Sequence, residues 1–310
     1  LKRRSYSSSA ACSLPLLLPA VIASVVLVGC ASRPSRADLA VEYYNIATAY
    51  FELEDWDNAS RYYRRALGYD PARRRASFNL ARAEIERGAY SEAITLLEDL
   101  KAEDPDNHLI VQLIGYAQYR AGELEQARIT FERLKAEAPY EDRVVQNLAM
   151  VYAAEGTLES AAVLLGDAAE RAGNPEPLLL QAAGLEYQRG DLETARRRGE
   201  LLLREAEDLA EAAQSLGAVA YEYEDFEGAV RWYSVALDEA PDDLDLRFKR
   251  AAALLLSGNH EAGQQALQDT IEAGYADRDR IAELVEHEEL EEREDLREFL
   301  KDLGVCFFGI

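Results

Sequence analysis

The stretch AVEYYNIATAYFELEDWDNASRYYRRALGYDP, residues 40–71, decides the fold. Tyr43, Ile46, Ala47 and Tyr50 recur at intervals of three and four, which puts them on one face of a helix. An acidic turn follows, and a second run carries Ala59, Tyr63 and Ala66 before Pro71 closes it. Proline has no amide hydrogen and disfavours helix in the residue before it, so the stretch reads as a helix hairpin with a defined end.

Ala59 opens a series with a period of 34 residues: Ala93, Ala127, Ala161, Ala195 and Ala229 follow. Gly88, Gly122, Gly156 and Gly190 share the period, and Gly258 rejoins it two periods later. Pro71, Pro105 and Pro139 do the same, with Pro241 three periods on. Three interleaved series with one period mark an internal repeat, with units starting near 40, 74, 108, 142, 176, 210 and 244 and covering residues 40–277. In ERGAYSEA, Gly88 supplies the left-handed turn after a first helix. Ala93, Leu96, Leu97 and Leu100 then line the inner face of a second helix, where the small Ala93 lets the two helices approach closely. A single hairpin cannot bury its apolar face alone, so such units stack into a continuous core.

The 34-residue pattern resembles the tetratricopeptide repeat. The first unit matches at Tyr43, Ile46, Ala47, Tyr50, Ala59, Tyr63, Ala66 and Pro71, and the sixth at Leu216, Gly217, Phe226, Ala229, Tyr233, Ala236 and Pro241. The fifth departs at Gly199, where an aromatic is usual, and the seventh at Arg250 and Gly263. The resemblance implies an all-α fold, a right-handed α-solenoid of about seven stacked helix-turn-helix units. Beyond residue 277 the pattern changes. Ile281, Leu284 and Val285 share one face, and Leu296, Phe299, Leu300 and Leu303 another, so residues 278–310 read as a C-terminal capping helical segment. The apolar tail VCFFGI, residues 305–310, is either tucked against that cap or a partner-binding end.

Upstream, Lys2, Arg3 and Arg4 precede an apolar run from Leu14 to Val28, the layout of a secretory signal. Those fifteen residues would span roughly 22 Å as a helix, short of the roughly 30 Å hydrocarbon core. Extended back to Ala10 the run reaches spanning length, so an uncleaved anchor is the alternative. Leu27-Val28-Gly29-Cys30 resembles the lipobox of bacterial lipoproteins. That resemblance implies removal of residues 1–29, diacylation of the Cys30 thiol, acylation of the new amino group, and a short tether over 30–39. Acyl chains contribute about 0.8 kcal/mol per buried CH₂, so two or three of them make the attachment permanent. In enteric lipoproteins a residue other than Asp after the cysteine goes with outer-membrane sorting, so by this resemblance Ala31 implies the outer membrane facing the periplasm, or the cell surface.

The chain of 310 residues carries 34 basic and 58 acidic side chains, a net charge of −24 that becomes −27 without residues 1–29. A surface this acidic repels nucleic acid and anionic head groups and favours a basic partner, or is simply a solvated helical exterior. Only Cys306 remains beside Cys12 and Cys30, so no intramolecular disulfide or metal-type cysteine pair is expected in the mature chain. No catalytic constellation emerges: His108, His260 and His287 read as surface residues, and there is no phosphate loop, HExxH or Gly-x-Ser-x-Gly. Neither an enzyme nor a cofactor is expected. Arg189-Gly190-Asp191 falls on a repeat turn, and EHEELEERED lacks the ligand spacing of a calcium loop.

In the resembled family, positions 2, 5, 9 and 12 of each unit line a concave groove. Carried onto this chain, they include Tyr44, Thr48 and Phe51; Phe78 and Arg82; Gln112, Tyr116 and Tyr119 with Arg120 adjacent; Gln146 and Met150; and Tyr187, Tyr221 and Phe248. Aromatic bodies with Arg and Gln between them suit a protein or peptide segment, although inter-repeat packing uses the same residue types. The family's clamp for chaperone carboxy-termini is not supported, since Tyr44 and Thr48, or Phe78 and Arg82, stand where it needs Lys and Asn. The expectation is a lipid-anchored envelope scaffold, with a small-ligand-binding accessory lipoprotein working with a transporter as the alternative.

Overall fold

The computed structural model describes residues 34–138, 141–290 and 292–305. The lipobox with Cys30, together with Pro139, Cys306 and most of the apolar tail, lies outside these residues. Among the described residues all regular structure is helical. The helices pair in chain order: α1 (Arg36–Glu52) with α2 (Trp56–Tyr69), α3 (Arg74–Glu86) with α4 (Tyr90–Glu103), and α5 (His108–Arg120) with α6 (Leu124–Glu137). Next come α7 (Asp142–Ala154) with α8 (Leu158–Ala169), α9 (Glu176–Gln188) with α10 (Leu192–Glu205), and α11 (Leu209–Glu222) with α12 (Phe226–Glu239). The last pair is α13 (Leu244–Leu256) with α14 (His260–Glu272), followed by α15 (Arg278–Val285) and α16 (Arg293–Asp302). No helix among the described residues is long and apolar enough to cross a membrane.

The chain divides into two compact units, one up to Arg87 and one from Gly88 onward. In the first, α1, α2 and α3 pack in succession; in the second, consecutive helices pack in the same way, as in a helical solenoid.

The periodic residues have clear physical roles. All six alanines of the series from Ala59 to Ala229 are fully buried. The periodic glycines Gly88, Gly122, Gly156, Gly190 and Gly258 all have φ between 77° and 81°, a conformation that disfavours a Cβ. Where the series lapses, Glu54 and Glu224 hold the same left-handed turn at φ 57° and 59°. The backbone therefore keeps its turn in every hairpin that can be compared, and two glutamates bear the strain. The irregular Gly199 is explained by a neighbour: a Cβ there would meet the Trp232 ring at 3.0 Å, so the aromatic missing from the fifth repeat is supplied by the sixth. Gly263 likewise yields its space to Leu255, whose Cγ would stand 2.7 Å from a Cβ.

Two buried glutamates, 102 residues apart, anchor polar networks. Glu84 is fully buried and accepts from Ser60 Oγ, from Arg64 Nη2 at 2.9 Å and from Arg87 Nη1 at 2.7 Å, while Arg87 also reaches Asp57. Glu186 pairs with Arg189 and Arg198, and Arg189 reaches Glu159 at 3.5 Å. A buried carboxylate is tolerated when its lone pairs are satisfied in this way.

Candidate functional site

The face set by repeat positions 5, 9 and 12 differs along the chain. In the first unit, the Tyr44 ring packs 5.7 Å from Tyr63, and its phenol accepts from Asn79 Nδ2 at 3.1 Å. Thr48 Oγ1 lies 3.1 Å from the Tyr63 hydroxyl. Phe51 meets the edge of Trp56 at 4.9 Å, and the exposed Arg82 guanidinium sits 4.6 Å over the Phe51 ring. Phe78 is half-buried. Tyr44, Phe51 and Arg82 thus lie on packed rings, with Arg82 held by a cation–π contact.

In the second unit, Arg120 Nη1 donates to the Tyr116 hydroxyl at 2.8 Å, and its guanidinium lies over Tyr116 at 5.6 Å and Tyr90 at 5.9 Å. Tyr116 and Tyr119 pack their inner edges on the core and leave the rest accessible. Gln112 is buried and donates to Glu141 at 2.6 Å. Gln146 is half-buried, and Met150 is 41% exposed. Tyr116, Tyr119, Arg120, Gln146 and Met150 therefore offer a ring-rich, cation-bearing surface on α5 and α7.

Besides Gln112, expected on the groove but buried against Glu141, two sequence-based assignments require correction. Tyr187 is only 3% exposed, and its phenol accepts from Trp232 Nε1 at 3.3 Å. Trp232, packed against Gly199, thus reaches the Tyr187 phenol, and burial pushes that phenol up to about 12. Phe248 is only 4% exposed, because Tyr275 stacks on it at 4.7 Å and 10° and Arg280 lies 5.0 Å over its ring. Neither residue is open to a partner. Tyr221 is half-buried, with Phe226 edge-on at 5.4 Å and His287 at 6.3 Å. His287, expected on the surface, is half-buried between these two rings.

For Phe248, Tyr221 and His287 the reason lies in α15. Its Ile281, Leu284 and Val285 join the cluster that contains Phe226, Phe248 and Ala252, and Arg280 pairs with Asp245. The chain thus lays one of its own helices on the position-5, -9 and -12 face of its last two repeats. Between them remains a cavity of about 350 Å³ lined by Tyr221, Tyr233, Phe248, Lys249, Arg280 and His287, among others. Burial pushes the Tyr221 and Tyr233 phenols upward. Burial also favours the neutral form of Asp245, but hydrogen bonds from Lys249 and Arg280 outweigh it and hold that carboxyl below the usual range. Lys249, Arg280 and Tyr233 were not legible as site residues, because only the return of α15 brings them together. Among the described residues, no cluster of three His, Cys, Asp or Glu side chains could hold a metal ion.

Residues 44–108 and 88–149 match two family models, both described as tetratricopeptide repeat. The chain carries tetratricopeptide repeats. Such repeats serve as protein-interaction scaffolds. Among solved structures, a tetratricopeptide repeat protein from Parabacteroides merdae is 17% identical, with a TM-score of 0.50, 79% of this chain and 96% of that one being covered. PilW, a type IV pilus biogenesis factor, is 17% identical over 65% of this chain and 94% of its own, at a TM-score of 0.49. PilF from Pseudomonas aeruginosa is 20% identical over 68% and 96%, at 0.47. At these identities the likeness to the Parabacteroides protein is one of fold. No curated protein matches the sequence significantly.

Proposed function

We propose that this tetratricopeptide repeat chain is a lipid-anchored scaffold of the bacterial envelope, held through Cys30 in the outer membrane. Its middle repeats bind a protein segment. The observation that carries this reading is the chain's own use of the face: α15 docks on Phe248 and Ala252 with an apolar stripe and one arginine. The same repeat positions in α5 and α7 are not covered in this way and carry Tyr116, Tyr119, Arg120 and Met150. These residue types dominate binding hot spots, and a basic partner suits the surrounding charge.

A photo-crosslinker at position 150 should capture a partner in native envelope, and one at Ile129, exposed on α6, should not. In the crosslinked pair, Tyr119→Ala with Arg120→Ala should weaken binding by about 2 kcal/mol, roughly thirtyfold, with helicity unchanged. Capture from position 129 with none from position 150 would move the site off this face. Anchoring is tested separately: Cys30→Ala should abolish lipid labelling and release the protein from membranes. Retained membrane association without labelling would favour the uncleaved segment.

One observation favours the alternative of a small-ligand-binding accessory lipoprotein working with a transporter: the cavity beneath α15 combines apolar rings with phenol and guanidinium groups. A ligand co-purifying with the protein and lost on Phe248→Ala would support that reading over the scaffold.

A further inference from the structure

Four tyrosines of the first unit stack in a row. Tyr69 lies 5.5 Å from Tyr43 at 13°, Tyr43 lies 6.1 Å from Tyr62 at 24°, and Tyr62 lies 5.4 Å from Tyr50 at 7°. Three exposed arginines cover the row. Arg36 stands 5.9 Å over Tyr69, Arg61 stands 5.0 Å over Tyr62, and Arg65 lies over both Tyr43 and Tyr62 at 5.6 and 5.5 Å. All four rings are half-exposed. None of the three arginines forms an ion pair among the described residues; Arg36 instead donates to the Gly68 carbonyl at 3.0 Å. One repeat position shows what has changed. Where Tyr43 stands in the first repeat, Val111, Val145 and Leu179 stand in later ones, each at most 4% exposed. A terminal repeat needs a polar outer face, and mixed Lys and Glu would supply one. A phenol row covered by guanidinium groups is a more specific choice.

The charge around the row is also unusual for this chain. Residues 34–87 hold nine arginines and nine acidic side chains, against 21 basic and 49 acidic in residues 88–310. We infer that the tyrosine–arginine face of α1 and α2 docks on a membrane surface bearing anionic head groups. Guanidinium forks match phosphate bidentately, and phenols with an apolar body and a polar tip favour the interfacial layer. The acidic remainder is repelled by the same surface, so the attraction belongs to residues 34–87. The location fits the proposed anchor: Cys30 lies six residues before Arg36, a reach of about 20 Å at most. The inference rests on the anchoring proposal only for the nearness of a bilayer; the affinity belongs to the face itself.

The test uses residues 31–310, which retain every described helix and lack the acylation site. Sedimentation with vesicles of phosphatidylglycerol and phosphatidylcholine in equal parts should pull the chain down, and vesicles of phosphatidylcholine alone should not. Binding should fade with rising salt. Changing Arg36, Arg61 and Arg65 together to glutamine should reduce it by about tenfold or more, with the melting transition retained. Equal or absent binding to both vesicle types overturns the inference, and so does a folded triple variant that binds as the parent does. Self-association lost in that variant, with no vesicle binding, would overturn it in favour of a protein interface. If the variant fails to fold, the head-group and salt dependence of the parent chain still decides. Palmitate labelling of the full chain reports the anchor independently, so one reading can fail without the other.

Discussion

The two compact units differ in what their buried and stacked rings rest on. In residues 34–87, tyrosines stack on tyrosines and under arginines, and Tyr63 packs against Tyr44 and reaches Thr48 with its hydroxyl. In residues 88–310, rings close over glycines: Phe131 over Gly115, Trp232 over Gly199 and Tyr233 over Gly217, each within 3.0 Å of where a Cβ would stand. A ring seated on bare backbone is spent on packing, whereas a ring stacked edge to solvent with a cation stays available. One hairpin geometry therefore supports a row of stacked tyrosines in one unit and ring-on-glycine packing in the other.

The largest test of this contrast is Trp232→Ala. It should cost about 3–5 kcal/mol, because the ring is 1% exposed and fills the space left by Gly199. Hydrogen exchange should show the loss in residues 88–310 and preserved protection in 34–87. Equal loss in both would mean that they unfold as one. Adding Gly199→Tyr to that variant should recover part of the stability, by restoring a ring at the usual repeat position.

Gly217→Ala comes next, at about 1–3 kcal/mol, since its Cβ would sit 2.5 Å from the Tyr233 ring. The matching position of the first repeat already holds the buried Ala47, where the reverse change to glycine should cost only about 0.5–1 kcal/mol through chain entropy. Comparable costs in chemical denaturation would show that ring-on-glycine packing is not special to the second unit.

Alkali offers a subtler probe. Burial raises the Tyr187 phenol from 10.0 to about 12, so the folded state retains a proton that the unfolded state releases above pH 10. This contribution to stability is complete below pH 10 and is lost as pH rises toward 12. A Tyr187→Phe variant should lose this alkaline dependence in chemical denaturation, and an unchanged dependence would show that the buried phenol does not carry it. The smallest effect is expected at Glu54→Gly and Glu224→Gly, one in each unit. Relieving a left-handed glutamate should raise stability by under about 1 kcal/mol in both. A loss in either would mean that the glutamate side chain supports its turn.

The repeat was legible because its signals are local. A fully buried alanine, a left-handed glycine and a closing proline each act within a few residues, and their period survives even where Glu54 or Glu224 replaces the glycine. The open face was legible only through α7, because repeat position assigns a residue to a face but not what later covers it. Phe248 lies under Tyr275 and Arg280, contacts made 27 and 32 residues further on. Tyr187 was misassigned for a related reason, since its partner Trp232 belongs to the next repeat and stands 45 residues away. Net charge is coarse in a third way, because it averages a balanced segment, residues 34–87, with a strongly acidic one.

The two buried glutamates bear on how such a chain avoids folding incorrectly. Repeats with similar interfaces can dock one unit out of step, and a slipped arrangement that buries the same apolar area becomes a kinetic trap. Glu84 makes that error costly, because only the correct preceding hairpin brings Ser60 and Arg64 to its carboxylate. A slip would leave a buried charge short of partners, a fault worth up to about 3–5 kcal/mol. Glu186 acts at a shorter range, since Arg198 lies on α10, the helix paired with its own α9. One carboxylate is thus a key between neighbouring repeats, and the other a key within a single hairpin.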